Sequence, residues 1–209
     1  MANIPREMPD LTPQQRRDNW WRYHWLHVLI GVLAVITVTG IIWQHITRAE
    51  NDCGAALVTR YAVTPEEMSA LKAALETAAA DSNGDGRIQV SASDIQIDYT
   101  ATDLDDASIQ QMTANVDKLH ADFYTGQSGI FILDDPENFQ RNHAALLYLD
   151  GTEPPMDAAD WQNMVRPWSD SPVLEGLTFR NLDTASLYLG RRIGEVNGDA
   201  LWNGLFPEG

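Results

Sequence analysis

Nineteen consecutive residues, Trp25–Trp43 (WLHVLIGVLAVITVTGIIW), contain no Asp, Glu, Lys or Arg. A helix of that length spans ~28 Å at ~1.5 Å per residue, close to the ~30 Å hydrocarbon core of a bilayer. Its one strongly polar residue, His27, lies near an end. Trp20, Trp21, Tyr23 and Trp25 crowd one border and Trp43 marks the other, where amphipathic rings favour the headgroup level. Residues 20–46 are therefore expected to form a transmembrane helix, with the lipid bilayer as its partner. Thr47 and Ala49 would fit a small-x-small cleavage site, but the apolar run exceeds a signal core and ends in a bulky Trp. An uncleaved anchor is the better expectation.

Flanking charge sets the orientation. Arg16, Arg17 and Arg22 stand before the span; Arg48, Glu50 and Asp52 follow it. Arginine excess stays in the cytoplasm, so the N-terminus is expected inside and the chain beyond residue 47 outside the cell. Segment 1–19 reads as a short disordered cytoplasmic tail, 47–54 as a polar spacer and 55–209 as one extracytoplasmic domain. The chain carries 30 acidic and 14 basic residues, a formal charge of -16. Such an acidic chain offers no face for phosphate neutralisation, which argues against a nucleic-acid partner. One cysteine, Cys53, precludes an intramolecular disulfide or a multi-Cys metal site.

Beyond the spacer, strand and helix patterns alternate. Ala55–Val63 is apolar and β-branched, as strands are. Thr64-Pro65-Glu66-Glu67 has the elements of a capping box with Pro in the first turn, and Met68, Leu71, Leu75 and Ala78 recur at helical spacing. Ile88 and Val90 alternate, as do Ile95, Ile97 and Tyr99, with a phase slip that predicts a bulge near Ser93-Asp94. A second helix carries the stripe Ile109, Met112, Val116, Leu119, Phe123 and stops at Gly126. Gly129–Leu133 is an uninterrupted apolar run, expected to be a strand covered on both faces. Asp135 and Pro136 start a third helix, expected to reach about Leu149. Val173–Phe179 and Ser186–Ile193 are further strand candidates, in a segment from 150 onward expected to cover the sheet. The alternation predicts an α/β fold: a small three-layer domain with a mainly parallel sheet behind one transmembrane helix.

The stretches DSNGDGRIQV (81–90), ANVDKLHADFYTGQSGIFILDDPENF (114–139) and LYLGRRIG (187–194), with the YHWLH border before the anchor, resemble uncharacterised single-pass membrane-anchored extracytoplasmic proteins of gut clostridial bacteria. That resemblance brings no catalytic residues with it. The order of helix, Thr-Gly stop and buried strand over 109–133 is more loosely similar to one lobe of extracellular solute-binding proteins, which implies ligand binding at a sheet edge. Those proteins close two lobes on a ligand and are typically twice this length.

Two acidic groups are candidate sites. Asp81, Asn83, Asp85 and Gly86 match the first half of a calcium loop, with oxygen ligands at positions 1, 3 and 5 and Gly at 6. Position 12 is Ala92 where a Glu is wanted, and the same residues suit a plain helix-to-strand turn. Any calcium bound there would be held weakly. Asp134 and Asp135 follow a buried strand, where open α/β sheets bind ligands, although Asp135 also suits a helix cap. His120 and His143 lack an i+4 His or a Cys partner for zinc. Trp161 and Trp168, with Arg166 between them, could stack on a sugar or pack in the core. Arg191 and Arg192 are expected to pair with carboxylates. No nucleophile elbow, phosphate loop or nucleotide fingerprint is present. The sequence thus favours a non-catalytic interaction or accessory module, with a membrane or cell-surface protein as partner. A ligand- or cation-binding sensor is the alternative.

Overall fold

Pro13 opens a helix, α1 (Pro13–Thr47), in a computed structural model that describes residues 12–47, 51–194 and 198–207. Much of the expected tail (1–11) and spacer (48–50, with Arg48 and Glu50) lies outside the described residues. The helix begins within the segment expected to be a disordered tail. From Trp25 onward its side chains are apolar nearly all round, and none of its apolar window is buried against protein. Leu33 and Ile36, for example, are about two-thirds exposed, at 65% and 64%. A helix with that character needs an apolar surrounding. Among the described residues it is the one helix long and apolar enough to cross a membrane. At its polar border Trp20 and His24 stack, with ring centroids 4.9 Å apart.

Glu50–Gly209 form a separate compact unit, a mixed α/β domain. Its elements are β1 (Cys53–Thr59), α2 (Pro65–Ala78), β2 (Val90–Gln96), α3 (Asp106–Thr125), β3 (Ile130–Leu133), α4 (Pro136–His143), β4 (Val165–Pro167), β5 (Tyr188–Arg191) and α5 (Asp199–Leu205). The five strands lie in the order β2-β1-β3-β5-β4. Strand β1 pairs parallel with β2 (Leu57 opposite Asp94) and with β3 (Leu57 opposite Ile132). Strand β5 runs antiparallel to both β3 and β4.

The sheet is therefore mixed, and the expectation of a mainly parallel sheet holds only for its β2-β1-β3 half. A parallel pair needs a crossover, usually a helix. Helices α2 and α3 provide it among the first three strands. Between β4 and β5 only single 3₁₀ turns occur, at Trp168–Asp170 and Thr184–Ser186, and the chain returns antiparallel. The segment after 150 thus supplies two strands of the sheet itself.

Local signals explain the helices. Thr64 Oγ1 accepts from Glu67 N–H at 3.3 Å, and Glu67 Oε2 accepts from Thr64 N–H at 2.7 Å, closing the capping box of α2. Gly126, with φ 68°, ends α3 in the left-handed conformation that glycine adopts without strain. Helix α4 stops at His143, well short of Leu149. Ala144 turns left-handed at φ 46°, and Gln140 Oε1 then accepts from Leu146 N–H at 3.1 Å. Val173–Phe179 forms no strand; Pro172 precedes it and Gly176 turns at φ 84°.

Successive strand residues bury into two different clusters, as a pleat requires. Ala55, Leu57, Ile130, Ile132 and Leu189 pack with Leu71 and Leu75 of α2 and Leu201 and Leu205 of α5. Ala56, Val58, Phe131 and Leu133 pack with Leu119 of α3 and Phe139 of α4. Strand β2 has no bulge: its register with β1 is continuous from Val90 to Gln96. The phase slip arises because Val90 joins the first cluster and Ile95 the second. Strand β2 is an edge, and α3 covers part of it. Lys118 Nζ donates to the Asp94 carbonyl at 2.6 Å, and Asn115 Nδ2 to the Gln96 carbonyl at 2.8 Å.

Candidate ligand cleft at the carboxyl edge of the sheet

The chain leaves β1 for α2, whose buried leucines join one cluster. It leaves β2 and β3 for α3 and α4, which join the other. Where connections diverge in this way, the carboxyl ends of parallel strands leave a crevice. A cleft of about 240 Å³ lies on the same carboxyl edge, one strand along, between the ends of β1 and β2 and the helix α3, with Arg60 and Tyr61 following β1, Gln96 and Asp98 ending β2, and Leu104 and Met112 beside them.

A chain of hydrogen bonds holds its floor. Gln111 Nε2 donates to Gln96 Oε1 at 3.2 Å, and Gln96 Nε2 donates to the Arg60 carbonyl at 2.9 Å. Behind Arg60 stands Asp134, at the end of β3. Its Oδ2 accepts from the Arg60 backbone N–H at 2.9 Å and lies 3.7 Å from the guanidinium Nε. Burial pushes the Asp134 carboxyl up, against the pull of Arg60's N–H and charge. Asp98 Oδ1 accepts from Thr100 Oγ1 at 2.7 Å and from Thr100 N–H at 2.9 Å. Those bonds, with the charge of Arg60, hold the Asp98 carboxyl below the usual carboxylate range.

The residues singled out in the sequence divide differently. Asp134 orients Arg60. Its neighbour Asp135 points elsewhere, accepting from Asn138 N–H at 3.1 Å and Asn138 Nδ2 at 2.9 Å as the cap of α4. Asp81 accepts from Gly84 and Gly86 N–H at 2.6 and 2.9 Å, Asn83 from Asp85 N–H at 2.8 Å, and Asp85 from Arg87 N–H at 2.8 Å. The three side chains thus tie the turn to itself. Among the described residues, no three His, Cys, Asp or Glu side chains gather as a metal site. Trp161 packs with the α3–α4 cluster and Trp168 with the α2–α5 cluster, so the two share no stacking surface. Arg191 pairs with Asp199 at 3.2 Å and lies over the Trp202 ring. Arg192 pairs with Asp122 at 3.8 Å and donates to the Phe123 carbonyl at the end of α3.

Three features were not read from the sequence. Arg60 is the first; its signal is a single cation inside the apolar run 55–63, which marks where the strand leaves the core. The second is Tyr99, whose hydroxyl lies 2.9 Å from His143 Nε2. Burial pushes the Tyr99 hydroxyl up, and burial followed by the nearby His120 lowers His143 to about 4. Both are therefore neutral at pH 7, and neither is poised for proton transfer there. The third is Asp52, only 2% exposed at the opposite end of β1. It accepts from Ser82, Asn83 and Gln89 N–H at 2.8, 3.2 and 2.9 Å.

Comparison of the chain with protein families, with characterised proteins and with solved structures finds no match.

Proposed function

We propose that this chain is a single-pass membrane protein whose three-layer α/β domain stands outside the cell and binds a small polar ligand without transforming it. The cleft between the carboxyl ends of β1 and β2 carries the reading. It joins a concave shape, an apolar wall and a few converging polar groups, the combination expected of ligand sites. The looser likeness to one lobe of solute-binding proteins points the same way. A role as an interaction module for a membrane or cell-surface protein is the second reading, and a ligand-sensing lobe presented on an anchor is compatible with it.

The test is thermal unfolding of the full-length protein in detergent micelles against a panel of sugars, amino acids, inorganic phosphate and calcium. A native-state ligand at a hundredfold excess over its Kd stabilises by about 2.7 kcal/mol. A rise in Tm that Arg60→Gln removes supports the cleft; a Tm unmoved by every compound sinks it. Topology needs its own probe, because burial pushes the Cys53 thiol up to about 11 and slows its labelling. Tyr124 is 93% exposed, so Tyr124→Cys in a Cys53→Ser background offers a better handle. Labelling of intact cells by an impermeant maleimide is expected; labelling only after lysis would reverse the orientation.

A further inference from the structure

The charges of the cleft narrow the chemistry of its ligand. Arg60 directs Nε to Asp134, and no described residue accepts from its terminal nitrogens. Those two N–H edges form the fork that takes a carboxylate in bidentate fashion. Asp98 lines the same cleft but is not Arg60's ion-pair partner. Both Thr100 bonds fall on its Oδ1 and the Ala101 backbone N–H also bonds to the carboxylate; two carboxylate oxygens offer about four acceptor sites, so capacity remains for a ligand. One cation and one anion thus line a single small space, where each feels the other's charge but no ion-pair contact joins them.

Neutral sugars would leave both charges without a counterpart. Inorganic phosphate would satisfy Arg60 and be repelled by Asp98. A molecule carrying a carboxylate and an ammonium group one carbon apart satisfies both. At ~30 Å³ per water, 240 Å³ corresponds to roughly eight waters, the bulk of a ligand of eight to ten heavy atoms. Leu104 and Met112 supply an apolar wall for an uncharged side chain. We propose that the cleft binds a free α-amino acid, its carboxylate on Arg60 and its ammonium group on Asp98, with an uncharged side chain against Leu104 and Met112. This rests on the cleft's being a binding site.

The experiment titrates the full-length protein in micelles by calorimetry with each of the twenty standard L-amino acids. N-acetyl-L-leucine, L-leucinamide, D-glucose and inorganic phosphate serve as comparisons. Uncharged amino acids such as L-leucine and L-methionine are expected to bind. Blocking either the amine or the carboxylate should weaken binding at least tenfold. Arg60→Gln and Asp98→Asn should each do the same, with the Tm of the unliganded variants held near that of the parent. Binding of glucose, phosphate or N-acetyl-L-leucine in place of the free amino acid overturns the proposal and leaves the cleft standing as a site. Heat from no compound overturns both.

Discussion

The two ends of strand β1 present carboxylates in opposite ways. At its amino end Asp52 is buried, and three backbone N–H groups from the 82–89 turn converge on it. Those bonds, the one from Gln89 foremost, hold its carboxyl below the usual range. Close by, Gly54 lies so near the Gln127 carbonyl that a Cβ would collide with it. At the carboxyl end Asp134 is pushed up by burial, Asp98 is held mainly by its neighbour Thr100, and Arg60 meets Asp134 through its backbone N–H and Nε. A carboxylate ringed by its own chain's N–H groups is structural. Where backbone donors run out at a diverging edge, charge is left for something else to meet.

The largest expected effect is at the sealed end. Asp52→Ala strips an acceptor from three N–H groups and should cost about 3 kcal/mol in urea unfolding of the α/β domain. The pH dependence has a definite sign. A carboxyl whose folded pKa is depressed adds stability above its unfolded value near 4, and that stability disappears as pH falls through the lowered folded value. Asp52→Asn should abolish this acid limb. Should it persist unchanged, Asp52 is not its source. Gly54→Ala comes next, at about 2 kcal/mol, because backbone must move to admit a methyl group.

The remaining effects belong to the open end. Burial lowers His143 to about 4 in the folded state. The unfolded chain takes up a proton first, near pH 6.5, so stability should fall as pH drops from there toward 4. His143→Gln should flatten that interval while keeping a polar partner for Tyr99; an unchanged slope would assign it to other groups. Asp134→Asn should shift stability by no more than about 1 kcal/mol, since Arg60's side chain is 38% exposed. A larger loss would make this end as structural as the other. Least of all, Asp85→Ala should cost about 0.5 kcal/mol, identically with calcium or chelator. A calcium-dependent rise in Tm that Asp81→Ala removes would instead restore the loop as a cation site.

Features set by neighbours in the chain were legible. The Thr64–Glu67 box, the stop at Gly126, the fully covered Ile130–Leu133 strand and the Asp135 cap all follow from local hydrogen bonding and burial pattern. Features set by distant partners were not. Strand β4 spans three residues and exists because β5 lies beside it. The reversal of β5 depends on how a 20-residue irregular link returns, which no periodicity encodes. Behind the cleft, Asp134 was visible as a carboxylate after a buried strand. Its role waited on Arg60, 74 positions away, and the cleft itself on where two strands end beside α3. Val90 and Ile95 mimic a bulge because an edge strand buries a different face at each end, a distinction alternation alone does not carry.

Strand β2 is also where a second chain could add itself by backbone pairing. The carbonyls of Asp94 and Gln96 already receive the Lys118 ammonium and the Asn115 amide from α3. A visiting strand would have to evict both before forming a ladder. Copies crowded together on a shared two-dimensional surface would therefore pass one another without zipping into fibrils along that border.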